Sequence, residues 1–453
     1  MRSWPVNIFV TATVLIVLPA LTWAEDHRLP DYVVAEYGAP LAILDGALDP
    51  TTRRALDTLL IRAKDQADWN PSDQAAADAL IAANDPRTIW TIADLQRFAW
   101  RPEFSAMLTR VSKAILETDF AGHLPRERTL NTLIAWDMPA YPGYLAHKKA
   151  IYTHYLPGLD HLFTEGDIDW QLVDWGGVKI DARAFGDTDA VCHCIPAVDN
   201  PATQPAKDAT WLRDDDIVFG VEINGEARAY PRRIMEIREM VNDTLGGRDI
   251  AMPYCTLCGA AQAYFTDALP PGTKRPVLRT SGLLIRSNKV MYDIETGSVF
   301  DTFKGSAVTG PLADIGLTLE KVTVITSDWG SWRRAFPDTT VLVEDLALGR
   351  DFNLRETRDA GGPIFPVGDV DPRLPVHEDI IGVLTHSGQP VAFPRAKALA
   401  ALLSGSKVTL AGISLNRTAG GLSATARDVP VPSHEAFWFA WAQFHPGTLL
   451  WEG

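Results

Sequence analysis

The stretch Ile217-Val218-Phe219-Gly220-Val221-Glu222-Ile223, Asn224-Gly225, Glu226-Ala227-Arg228-Ala229-Tyr230 sets the fold class of this chain. Its apolar residues follow a period of two on either side of Asn224-Gly225. Asn-Gly supplies the two consecutive positive-φ residues that a two-residue hairpin turn needs, so a β-hairpin is predicted over 217–230. Working outward, Pro231 to Leu245 reads as a helix closed by Gly246-Gly247 and followed by a strand into Cys255. Val277 to Arg286 and Lys289 to Phe300, joined by Ser287-Asn288, read as further hairpin-like runs. This part of the chain is therefore expected to be mainly β with inserted helices.

Upstream the period changes. From about Asp49 to His161 the apolar residues recur at i, i+3, i+4 and i+7, with one stripe at Leu56, Leu59, Leu60 and Ala63 and another at Phe104, Met107, Leu108, Val111 and Ile115. Asn70-Pro71 reads as a helix cap with proline at the first helical position, Pro86 as a stop, and Pro102 as a second start. The expected class is α+β, with an all-helical region at 25–165, a linker rich in Asp, Gly and Trp at 166–189, and a β-rich region from 190.

The N-terminus holds Arg2, an apolar run from Ile8 to Leu21, and Thr22-Trp23-Ala24 before Glu25-Asp26. These are the parts of a signal peptide, residues 1–24, with cleavage expected after Ala24 and a periplasmic destination. The apolar run is shorter than the roughly 20 residues of a membrane span, and no later segment is apolar enough to be one. With 453 residues, two or three domains are expected. A net charge of -15 argues against nucleic acid or an anionic lipid surface as partner, because both require clustered Lys and Arg.

The chain also resembles itself. Gly220-Val221, Asn224-Gly225 and Ala229-Tyr230-Pro231 are echoed by Gly382-Val383, Ser387-Gly388 and Ala392-Phe393-Pro394; Trp332, Phe336, Pro337 and Thr339 are echoed by Trp441, Phe444, Pro446 and Thr448. The kept order predicts two related half-units, 190–360 and a shortened 361–453. All four cysteines lie in the first, so the second is expected to act as scaffold. The paired tryptophans, Trp329 with Trp332 and Trp438 with Trp441, are expected in the core.

Four cysteines are too few for a disulfide-built scaffold, and their placing is informative. Tyr254-Cys255-Thr256-Leu257-Cys258-Gly259 holds two thiols three residues apart, a spacing that suits a shared metal ion or a reactive disulfide. In Cys192-His193-Cys194 an extended backbone places both thiols on one side and His193 on the other, while a turn would recruit the imidazole. If the pairs meet, Cys192, Cys194, Cys255, Cys258 and His193 make an S4 or S3N set for zinc or copper. Structural disulfides and thiol redox work are the other readings, although neither pair stands in the strand-then-helix context of a thioredoxin-like motif. Around the motif, Glu239, Asn242, Asp243, Arg279 and Asp301 form a candidate polar pocket. Most of the polar residues there, including Ser281, Asn288, Tyr292, Asp293 and Ser298, are expected on solvated surface or in turns. Phosphate-loop, haem-attachment and zinc-protease motifs are absent from the sequence.

Ile195-Pro196-Ala197-Val198-Asp199-Asn200-Pro201, Asp215-Asp216, the Gly220 to Pro231 stretch, Val241-Asn242-Asp243, the Cys255 motif, and Trp332 with Phe336-Pro337-Asp338-Thr339 together resemble the bacterial DUF3179 family (domain of unknown function 3179). The resemblance spans about Ile195 to Asp345. It implies a bacterial, exported protein with Cys255 and Cys258 as signature residues, and it implies no reaction. Arg238 stands where the family pattern leads one to expect a histidine, and Cys192-His193-Cys194 looks like an addition. The leading expectation is an exported protein that holds a soft metal ion or does thiol redox chemistry through these cysteines. An enzyme built on the polar pocket beside disulfide-bonded cysteines is a rival, as is an interaction module that presents the N-terminal helices to a protein partner.

Overall fold

Among the described residues, helical periodicity in the first third of the chain becomes seven helices: α1 (Asp31–Tyr37), α2 (Pro50–Asp65), α3 (Pro71–Ala83), α4 (Ile89–Arg97), α5 (Pro102–Leu116), α6 (Pro125–Ala135) and α7 (Tyr144–Tyr155). The computed structural model describes residues 29–65, 70–118, 120–187, 192–344 and 362–453, so the expected signal peptide at 1–24 lies outside the described residues. Both apolar stripes are buried, on α2 and α5. Asn70 caps α3 by accepting from the Ser72 and Asp73 N–H groups while the Asp73 carboxylate accepts from the Asn70 N–H, an arrangement worth about 1 kcal/mol in such helices. Among the described residues, no helix is long and apolar enough to cross a membrane.

The remainder is mainly β, with five sheets of four to six strands among the described residues in a propeller-like arrangement. Residues 166–189, read as a linker, contribute β1 (Val173–Trp175), which pairs antiparallel with β6 (Leu278–Ile285). Through this edge the helices share one apolar core with the sheet, in which Leu59, Trp90 and Tyr152 are joined by Leu283, Val290 and Val299.

The hairpin forms as its turn chemistry dictates, with β2 (Ile217–Ile223) and β3 (Glu226–Pro231) joined by Asn224 and Gly225 at φ 52° and 85°. The helix expected over 231–245 stops early. Only α8 (Arg232–Arg238) is helical, and Met240–Leu245 is strand β4, paired with β5 (Arg248–Cys255). Gly246 and Gly247, at φ 57° and 72°, form a hairpin turn between these strands and do not close a helix. The next hairpin, β6 with β7 (Asn288–Asp293), turns at Arg286-Ser287, one residue before the expected Ser287-Asn288, because Ile285 pairs with Asn288. Lys289 to Phe300 is likewise not one run but β7 and β8 (Val299–Asp301).

Two of the sheets contain the same four-strand unit. In the first, β9 (Ile325–Asp328), β2, β3 and β10 (Thr340–Leu342) lie side by side, with β3 and β10 parallel. In the other, β13 (Ser433–Phe437), β11 (Asp379–Leu384), β12 (Pro390–Pro394) and β14 (Leu449–Leu450) keep that order, with β12 and β14 parallel. Helices α9 (Trp329–Ala335) and α10 (Trp438–Phe444) carry the four tryptophans, all buried as expected. Trp332 lies on Gly220 and Trp441 on Gly382, so close that a Cβ on either glycine would sit 2.1 Å from the indole. The indoles donate to Thr339 Oγ1 at 3.0 Å and Thr448 Oγ1 at 3.1 Å, respectively.

Adding the methyl group forces the indole or the strand to move. Gly220→Ala and Gly382→Ala should each lower unfolding stability by about 1–3 kcal/mol in equilibrium urea titrations, the usual range for overpacking. A wild-type midpoint for either variant would show that the indole is not wedged against the strand.

Candidate functional site

Strand β5 ends at Cys255 and runs directly into a single 3-10 turn, Thr256–Cys258, closed by Gly259 at φ 60°. Because a 3-10 helix has three residues per turn, positions i and i+3 eclipse, and the two cysteines face the same way. Both thiols are free and buried, Cys255 3% exposed and Cys258 0%. Cys258 Sγ lies 3.6 Å from Ser287 O and 3.4 Å from Asn288 Oδ1, and Cys255 Sγ lies 3.9 Å from the same Ser287 carbonyl. Arg286 and Ser287, at φ 45° and 64°, form the tight turn that carries that carbonyl over the sulfurs. From the opposite side, the Phe437 ring of β13 closes over Gly259.

Beside the dithiol lies a buried ion pair. Glu239 ends α8 in the left-handed region at φ 49°. Its carbonyl accepts from Tyr254 N–H at 3.0 Å and from Lys289 Nζ at 2.7 Å. Its carboxylate meets Lys289 Nζ at 2.7 Å and accepts from Thr256 Oγ1 at 3.0 Å. The two thiols feel this surrounding differently. Burial would raise the Cys255 thiol, but the hydrogen bond from Cys258, the Lys289 N–H and the Lys289 charge outweigh it and the opposing Glu239, holding Cys255 below the ordinary thiol value. Burial, then the hydrogen bond to Cys255 and that neighbour's charge, push Cys258 well up. The first thiolate therefore forms at Cys255 while Cys258 keeps its proton.

Cys255, Glu239 and Lys289 line a cavity of about 220 Å³ whose other walls include Val178, Ile195, Leu257, Leu283, Leu284 and Phe365. Cys192 and Cys194 are not among its lining residues and are joined to each other as a disulfide, with Cα atoms 5.0 Å apart. His193 between them is exposed at φ 52°. Among the described residues, the group of three potential ligands that converges within 4.8 Å is Asp181, Cys192 and Cys194; Cys255, Cys258 and His193 are outside it. Asp181 is already engaged, by Arg183 at 2.7 Å through both oxygens and by Ala197 N–H at 2.8 Å.

Residues 192–414 match the family described as a protein of unknown function (DUF3179). The chain belongs to the DUF3179 family through this segment. No curated protein and no solved structure matches it. The DUF3179 segment contains the dithiol, the ion pair and the disulfide; the N-terminal helices and Phe437 lie outside it.

Of the polar pocket read from the DUF3179 sequence, only Glu239 reaches the Cys255 cavity. Asn242 and Arg279 instead converge on Asp199, by Asn242 Nδ2 at 2.9 Å and by a two-pronged Arg279 contact. Asp243 accepts from Arg228 Nη1 at 2.6 Å and Tyr230 OH at 2.7 Å. Asp301, at the end of β8, accepts from the Phe303 and Lys304 N–H groups that follow it. Arg238, where a histidine was expected, pairs with Glu344. The residues expected on solvated surface are buried: Arg279, Ser281, Asn288, Tyr292, Asp293 and Ser298 are each at most 2% exposed. Arg279 crosses to Asp199 on a neighbouring sheet and Tyr292 OH donates to Asp181 O, whereas Ser281, Asp293 and Ser298 bond to backbone groups of nearby chain, pairing without which such burial would be costly. Lys289 and Thr256 escaped the sequence reading. A lysine inside a strand was the available signal, but its partner Glu239 stands 50 residues away.

Thiol titration of the purified protein in denaturant without reductant should count two thiols, and four after reduction. Four before reduction would contradict the Cys192–Cys194 bond, and none would mean that Cys255 and Cys258 are also oxidised.

Proposed function

We propose that this DUF3179 protein is an exported thiol–disulfide exchange protein working through Cys255 and Cys258. The observation that carries the reading is the asymmetry of the pair: Cys255 lines a cavity and favours its thiolate, whereas Cys258 is enclosed behind it and stays protonated. Cys255 Sγ⁻ attacks one sulfur of a substrate disulfide, forming a mixed disulfide and expelling the first substrate thiolate. Cys258 then gives up its proton and attacks Cys255 Sγ, which closes the protein disulfide and releases the second thiolate. The substrate disulfide is the oxidant, the dithiol is oxidised by two electrons, and the Cys258 proton leaves on a departing thiolate. Lys289 supports the Cys255 thiolate, and Glu239 anchors Lys289 at 2.7 Å.

The shared four-strand order, the two glycine–indole contacts and the two indole–threonine hydrogen bonds support reading 190–360 and 361–453 as duplicated half-units, the second a scaffold. The Arg2 to Ala24 segment supports a periplasmic destination, and the mature chain should begin at Glu25 when sequenced from periplasmic extract; a chain that retains Met1 would refute the cleavage.

A metal reading is carried by one observation, the convergence of Asp181, Cys192 and Cys194. With that disulfide reduced, two thiolates and a carboxylate would offer zinc or copper three ligands. Reduced protein should then bind about one equivalent of metal, lost in Cys192→Ser; no metal uptake after reduction removes this reading.

For the exchange reading, the rate of Cys255 alkylation by iodoacetamide should titrate with a midpoint below the ordinary thiol value of about 8.5, and Cys258→Ala, which removes the hydrogen-bond donor, should raise that midpoint. Cys258→Ser should accumulate a mixed disulfide at Cys255, seen by mass spectrometry, and Cys255→Ser should accumulate none. Failure of Cys258→Ser to trap any adduct would sink the mechanism.

A further inference from the structure

The cavity at Cys255 also bears on what can react there. Its walls are chiefly apolar, from Val178, Ile195, Leu257, Leu283, Leu284 and Phe365. The polar side chains among them are occupied with one another or with backbone. Thr280 donates to Ile195 O at 2.7 Å, Thr256 donates to Glu239, and Glu236 pairs with Arg232 at 3.1 Å. Among the described residues, Lys289 is the one cation lining the cavity, and Glu239 neutralises it at 2.7 Å. A carboxylate entering this space would leave water and meet neither a spare cation nor an idle donor side chain, which is strongly unfavourable. Size points the same way: about 220 Å³ is below the roughly 300–1,000 Å³ of ordinary ligand pockets, so only a small group fits.

Resting on the exchange reading above, we propose that the site selects small, uncharged, apolar disulfides and discriminates against anionic ones such as glutathione disulfide. Cys255 then exchanges with an alkyl or aryl disulfide end that enters between Val178 and Leu283. The specificity lies in what the described wall residues lack, a free positive charge, and not in a dedicated binding group.

The test uses the full chain and two aromatic disulfides of opposite character, neutral dithiodipyridine and dianionic dithiobis(nitrobenzoate). Rates at Cys255 are divided by those of a small neutral thiol at the same pH, which removes intrinsic reactivity. The proposal expects the neutral reagent to be favoured at Cys255 by more than tenfold over that reference. It also expects Val178→Lys, which places a cation in the wall, to shrink the preference several-fold. A preference below tenfold in the wild-type chain overturns the selectivity while leaving exchange itself standing. No reaction with either reagent overturns both. A preference that survives in a folded Val178→Lys protein also counts against the inference, since charge would not be its cause.

Discussion

Lys289 and Glu239 form an ion pair with both side chains nearly excluded from water, 5% and 11% exposed. Burying two charges is penalised by several kcal/mol per ion, and their attraction offsets this only when the remaining hydrogen-bonding capacity is also used. Here it is. Lys289 Nζ spans the carboxylate and the carbonyl of Glu239, Thr256 takes the other carboxylate oxygen, and Tyr254 N–H shares the carbonyl. Three pieces of chain distant in sequence are tied at one point: the end of α8, the end of β5 and the start of β7. The cysteine turn hangs from that knot, and the Ser287 carbonyl that meets both sulfurs is two residues from Lys289.

The same economy governs the other buried charges. Asp199 receives Arg279 and Asn242, Asp181 receives Arg183 and the Ala197 N–H, Asp94 receives Lys148 at 2.8 Å, and Asp174 receives Arg126 at 2.6 Å. These networks lie where sheets and helices join, which explains why so many polar residues of the strands are enclosed. They act as joints, whereas the free thiol of Cys255 faces a cavity. Removing one partner from such a joint strands a buried charge, so these positions are sensitive to substitution without touching substrate.

The C-terminal unit holds no cysteine, yet it shapes the site. Phe437 packs on Gly259, and Cys255 and Cys258 belong to the apolar cluster that contains Trp438 and Trp441. This enclosure buries both thiols, and the hydrogen bond from Cys258 to Cys255 together with Lys289 separates them in character.

Local chemistry was legible in the sequence wherever a short segment decides its own shape. Asn224-Gly225 turns because both residues tolerate positive φ, Asn70 caps because its side chain reaches two N–H groups, and the helical stripes follow from a 3.6-residue period. The Cys255–Cys258 spacing was equally visible. Choices between partners were not. Gly246-Gly247 suits a helix end and a hairpin turn alike, and only the pairing of β4 with β5 selects the turn. A strand's own period cannot say that Arg279 will find Asp199, 80 residues away, or that Cys192 will close on Cys194 and leave Cys255 and Cys258 free. The sequence by itself determined the elements and the reactive groups; the tertiary structure decided which charge neutralises which and which thiol faces a cavity, because those energies depend on distance and on exclusion of water, and neither exists along an extended chain.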